Sequence, residues 1–234
     1  MQIKEDLKNR IEEVNIYFEF AEVIDGIETH KKQKIVLNEN SEIIIKRDLQ
    51  KVIRANCFLI LYNLIESTIR NGINEIHHAI SDSKIKYDQL SLNLQKIWLT
   101  DKALEFNETS NVSKLKDYIS LLIENERFQR DVDVSKKRVS ISGNLDFRSI
   151  EKLVSDYGFH GKITIKDRKL LGKALLKVKN ERNALAHGNK SFRQSAEIIT
   201  IQDLSMFKSL IVSYLEDITK NISDYIEDSK FKKS

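Results

Sequence analysis

An arginine and a histidine stand five residues apart in the stretch Glu181-Arg182-Asn183-Ala184-Leu185-Ala186-His187-Gly188. A guanidinium is permanently charged and presents a fork of donors that matches a phosphate. An imidazole titrates near neutrality, at about pH 6.5, and can take or give a proton. Cleaving RNA through its own 2'-hydroxyl needs those groups: a base for the hydroxyl proton, an acid for the departing 5'-oxygen, and positive charge beside the phosphorane. The residues alone also admit a plainer reading. A histidine at a helix end is commonly a surface group stabilised by the helix dipole.

The surrounding pattern predicts a helix over about residues 165–187. Thr164-x-x-Asp167 has the form of a capping box that opens it, and Gly188 stands where helices commonly stop on a left-handed residue. At about 100° per residue, Leu171, Ala174, Leu175, Val178 and Leu185 form an apolar stripe, and Arg182 falls within it. A guanidinium turned toward a core must find a carboxylate or carbonyl partner. His187 points to nearly the opposite side, near Asn180 and Asn183, along with Lys166, Lys169, Lys173 and Lys177. The arginine is therefore expected to be held, and the histidine to be available.

Charge supports an interaction with a polyanion. The chain has a net charge of only +4, yet residues 160–193 carry ten basic side chains against Asp167 and Glu181. Residues 1–29 carry eight acids against three bases. A basic strip can track phosphates; it can equally be a solvated face offset by the acidic first helix. Lys173 and Lys177 on the helix, with Lys190 and Arg193 in the polar loop after Gly188, are the candidate contacts for such a polyanion, RNA if the resemblance described below holds.

The elements that must position these groups read as helices. The 234 residues are 41% hydrophobic, include no Pro and have only seven Gly. A β-rich chain would need more turn residues. One domain over 1–234 is expected, with an N-terminal helix and connection over 1–45 and a core bundle over 46–234. The first helix runs through Leu7, Ile11, Val14, Phe18, Ala21 and Val23, and residues 30–45 form a hairpin or extended loop. The longest periodic stretch, about 46–80, carries Phe58, Leu61, Tyr62, Ile65, Ile69, Ile73 and Ile76. Further helices are expected over 87–106, 112–129 and 145–157, with a loop or short strand pair between Asp131 and Ser142. A capping box, Thr200-x-x-Asp203, opens the terminal helix. Glu66 sits at the edge of its apolar stripe, either pairing with Arg70 one turn on or reaching Arg182.

Arg182-Asn183-x-x-x-His187 resembles the R-x4-6-H signature of the HEPN superfamily, in which a polar residue follows the arginine. Leu61-Tyr62-Asn63-Leu64-Ile65-Glu66-Ser67 and Ser142-Gly143-Asn144-Leu145-Asp146 are similar to stretches of a bacterial branch associated with toxin and phage-defence loci. The resemblance covers about residue 45 to the end. It implies an all-α helical bundle and metal-independent RNA cleavage, without a cofactor, in a cleft at a homodimer interface. It further implies Arg182 and His187 as catalytic residues, Asn183 orienting phosphate or histidine, Glu66 holding the arginine, and an antitoxin or partner protein. One relative has a tyrosine two residues after the histidine that a partner nucleotidyltransferase modifies; Asn189 stands there in this chain.

Other chemistries find little footing. His77 and His78 are adjacent and face different ways on a helix, and no zinc motif or phosphate-binding glycine loop is present. Cys57 lies in an apolar run, which reads as a reduced, cytoplasmic protein. No apolar run approaches the roughly 18–20 residues of a membrane span. Two rival functions remain open from the residues alone: a non-catalytic helical module binding RNA or protein, and a nucleotide-binding regulator.

Overall fold

A 36-residue helix forms where the longest apolar period runs, because a helix buried along one face must repeat its apolar positions. The computed structural model describes residues 2–27, 34–38, 41–107, 116, 119–120, 132 and 144–233. In chain order these give α1 (Gln2–Asp25), β1 (Lys34–Asn38), β2 (Ser41–Ile44), α2 (Arg47–Asp82) and a single 3-10 turn at Tyr87–Gln89. Then follow α3 (Leu92–Asn107), α4 (Phe147–Tyr157), α5 (Arg168–Ala186), α6 (Phe192–Ser195) and α7 (Ile201–Glu227). The class is all-α. The extended residues form one antiparallel hairpin, Lys34 opposite Ile44 and Ile35 opposite Ile43, with an irregularity between Val36 and Asn38.

The chain divides into two compact units. One comprises residues 1–68, 141–148 and 163–217; the other comprises 69–140, 149–162 and 218–234. In the first, α1 buries Ile3, Leu7, Val14, Phe18, Ala21 and Ile24, while Val23, expected on that face, is exposed. The end of α1 is closed from α2: the Gln50 amide donates to the carbonyls of Ile24, Asp25 and Ile27, at a helix end whose last oxygens have no partner in the regular helix pattern. Tyr17 donates to the Ile53 carbonyl, and from α7 Ser205 and Lys208 reach Glu22 and Asn15.

In the second unit, a row of aromatic rings packs within a largely aliphatic core. Tyr157, Phe159, Tyr225 and Phe231 follow one another at centroid spacings of 6.5 Å. His77 is buried against Tyr157, its Nε2 2.9 Å from the tyrosine hydroxyl, so it serves packing here. Gly158 ends α4 with φ +82°, a conformation that L side chains rarely adopt.

Several expectations change in detail. The helix expected over 87–106 begins as the 3-10 turn and becomes α-helix only at Leu92. The helix expected over 112–129 and the segment Asp131 to Ser142 lie almost wholly outside the described residues. By length and composition α2 is long and apolar enough to cross a membrane, contrary to the sequence expectation; 56% of its most apolar window is buried within the protein, as befits a core helix. The Thr164 box does not open α5. Asp167 itself is the N-cap, accepting from the Leu170 amide at 2.8 Å, while Thr164 gives its amide and hydroxyl to Asp217. The box at Thr200 forms as expected, the hydroxyl and backbone of Thr200 both meeting Asp203.

Replacing Asp167 by Ala should cost about 1 kcal/mol by removing that cap. In a chain of this size the loss corresponds to a fall of roughly 2–4 °C in melting temperature, measurable by circular dichroism.

Candidate active site

The end of α5 is closed by its own backbone. Gly188 takes φ +70°; its amide donates to the Leu185 carbonyl, and the Asn189 amide reaches back to Ala184 at 2.8 Å. This paired closure is a Schellman motif, which needs a left-handed residue and so favours glycine. His187 is the C-cap, exposed, and its ring has no side-chain partner among the described residues. The turn thus fixes the backbone of His187 and leaves the imidazole to solvent.

Arg182, one turn earlier, is held on three sides. Its guanidinium carbon lies 4.3 Å above the centre of the Tyr62 ring, a cation–π contact worth on the order of 1 kcal/mol when partly desolvated. Nη2 approaches Glu66 at 3.5 Å, and Nη1 donates to Asn183 Oδ1 at 3.0 Å. The arginine and Glu66 side chains are 28% and 23% exposed, so the group is half-buried and still reachable. The amide of Asn183 continues outward, donating to Asn144 at 2.7 Å. The Tyr62 hydroxyl, at the far end of its ring, accepts the Leu145 amide at 3.0 Å. Burial raises the Tyr62 pKa, partly offset by that backbone hydrogen bond, so the phenol stays protonated.

Three separated stretches therefore meet: Tyr62 and Glu66 from α2, Asn144 to Asp146 from the segment before α4, and Lys179, Arg182 and Asn183 from α5. Lys179 completes the junction with an ion pair to Asp146 at 2.7 Å. Sequence periodicity placed Arg182 on the apolar stripe; the position fully buried at the end of that face is Glu181, 3% exposed, with Leu185 only half-buried.

Glu181 is a buried carboxylate with three donors. Lys190 donates at 2.8 and 3.1 Å, Lys177 at 2.9 Å, and the Ser195 hydroxyl at 2.7 Å. Burial pushes its pKa up, and the hydrogen bonds from Lys190, Lys177 and Ser195 outweigh it, holding the carboxyl below its ordinary value of 4.5. The expected polar loop after Gly188 is accordingly ordered: Ser191 and Gln194 form a capping box that starts α6, and Ser195 reaches the carboxylate. Nothing in the local spacing announced Glu181, which entered the sequence reading only as one of two acids in a basic segment.

The four candidate RNA contacts separate. Lys177 and Lys190 share Glu181, Arg193 pairs with Asp48 at 2.9 Å, and Lys173 is exposed. Lys177 and Lys190 each remain 44% exposed, and Arg193 62%. Elsewhere, Cys57 is buried and its thiol is pushed up to about 12 by burial, which removes it as a nucleophile near neutral pH. Among the described residues, no three His, Cys, Asp or Glu side chains gather to hold a metal ion.

A family model described as MAE_28990-like HEPN matches residues 1–231. No curated protein and no solved structure matches the chain.

Because the folded carboxyl of Glu181 lies below its unfolded value, its contribution to stability is present above about pH 4.5 and is lost as pH falls through the folded value. Melting temperature should therefore decline more steeply between pH 5.5 and 3.5 in the wild type than in Glu181→Gln. Parallel curves for the two proteins would show that Glu181 carries no acid-sensitive stability.

Proposed function

This chain belongs to the HEPN superfamily, whose members are generally ribonucleases, and we propose that it is a metal-independent endoribonuclease working through Arg182 and His187. The observation that carries the reading is the contrast at the end of α5: a guanidinium restrained by Tyr62, Glu66 and Asn183, followed five residues later by an exposed imidazole at a helix terminus closed by its own backbone hydrogen bonds.

In the reaction, an imidazole takes the proton of a ribose 2'-hydroxyl, and that oxygen attacks the adjacent phosphorus. The Arg182 guanidinium faces the charge on the phosphorane, and a protonated imidazole gives its proton to the departing 5'-oxygen. The products are a 2',3'-cyclic phosphate and a 5'-hydroxyl. One chain offers a single histidine in this motif. A two-fold homodimer would bring two, one acting as base and the other as acid. Arg182, already half-desolvated, meets the developing charge with little reorganisation. Asn183 orients the guanidinium, and Glu66 balances its charge.

Lys173 and the exposed parts of Lys177, Lys190 and Arg193 extend positive charge along the substrate path, making RNA affinity salt-dependent. The setting we infer is the cytoplasm, as a toxin or phage-defence effector restrained by an antitoxin or partner protein.

His187→Ala should lower RNA cleavage at least a hundredfold, as loss of a general acid–base group does, with the melting temperature unchanged. Cleavage by the wild type should persist in chelator and leave 2',3'-cyclic ends, read by mass spectrometry of the fragments. A fully active His187→Ala protein would remove the histidine from the mechanism.

A further inference from the structure

We propose that Asn144 is a substrate contact of this site, donating a hydrogen bond from its side-chain amide to an oxygen of the RNA beside the phosphate that Arg182 faces. The inference rests on the ribonuclease reading and adds a residue to it.

The orientation follows from donor chemistry. A guanidinium can only donate, so the 3.0 Å contact from Arg182 Nη1 turns the Asn183 oxygen toward the arginine. The Asn183 nitrogen then faces Asn144 and donates to its Oδ1 at 2.7 Å. That contact leaves the Asn144 amide nitrogen, with two N–H donors, turned away from Asn183. Asn144 is exposed, and no residue among those described accepts from it. The relay therefore runs one way, from cation through two amides to solvent, and ends on donors.

The position is also fixed. Each of three consecutive residues is tied to a different anchor: Asn144 to Asn183, the Leu145 amide to the Tyr62 hydroxyl, and Asp146 to Lys179. Leu145 is itself buried. A donor held this way needs little ordering when substrate arrives.

The chemistry limits what it reads. An asparagine selects adenine by offering donor and acceptor together. Here the acceptor is taken by Asn183, so the remaining group suits a phosphate, ribose or base oxygen and should not favour adenine.

The test uses the His187→Ala protein, which binds without turning over, a fluorescein-labelled oligoribonucleotide, and anisotropy titrations at several salt concentrations. Adding Asn144→Ala should weaken binding about tenfold, the equivalent of one lost hydrogen bond, without changing the salt slope, since no charge is removed. Asn144→Asp keeps the oxygen that Asn183 needs, so it should hold the parent's melting temperature and weaken binding at least as much. Binding equal to the parent in either folded variant overturns the contact, as does loss of folding in both, which would assign Asn144 to the fold alone. Asn144-dependent binding by a protein whose wild type cleaves no RNA would keep the contact and remove the nuclease reading. Cleavage with Asn144-independent binding would do the reverse, and no RNA binding by the parent together with no cleavage by the wild type would overturn both.

Discussion

A guanidinium taken partly out of water has to be surrounded, and the first unit of this protein is built to surround one. Arg182 lies over the Tyr62 ring, with Glu66 and Asn183 at its edges. The same tyrosine takes the Leu145 amide on its hydroxyl, and the same asparagine donates its amide to Asn144 Oδ1. Removing the arginine would take one cation from Glu66 and leave both asparagine amides less constrained. The junction of α2, α5 and the segment before α4 is in this sense organised around one cation.

The neighbouring residue plays the corresponding part on the other side of α5. Glu181 is buried where the apolar stripe ends and draws Lys177, Lys190 and Ser195 onto itself. It ties the turn after Gly188 back to the helix and so supports the backbone that carries His187. Two adjacent residues of opposite charge thus hold the helix end from two directions, Arg182 toward α2 and Glu181 toward the returning chain. Much of the basic surplus of residues 160–193 is matched locally, by Glu181, Asp146, Glu66 and Asp48. The acidic first helix plays no part in those pairs.

Much of this was legible beforehand. Three-four periodicity located α2, α5 and α7 to within a few residues, because each buries one face along most of its length. The cost of leaving a guanidinium without a partner called for a carboxylate or carbonyl beside Arg182, and the family resemblance pointed to Glu66, whose other candidate partner was Arg70. What could not be read were contacts fixed by tertiary approach. The Tyr62 ring beneath Arg182 looked like one more core aromatic, and Lys190 and Arg193 like RNA contacts in a polar loop. Thr164 misled for a similar reason. Its spacing to Asp167 fits a capping box, but Asp217, brought near by α7, takes the hydroxyl first.

We propose that the setting of Arg182, and not its charge alone, is what would give the site ribonuclease activity. A double-mutant cycle on the rate of RNA cleavage, using Glu66→Gln, Arg182→Lys and the pair, tests it most directly. If Glu66 acts by holding the guanidinium, its loss should matter in the wild type and add little once lysine replaces arginine, giving a coupling of about 1–3 kcal/mol. Losses that simply add would contradict the account, because Glu66 would then act independently of Arg182.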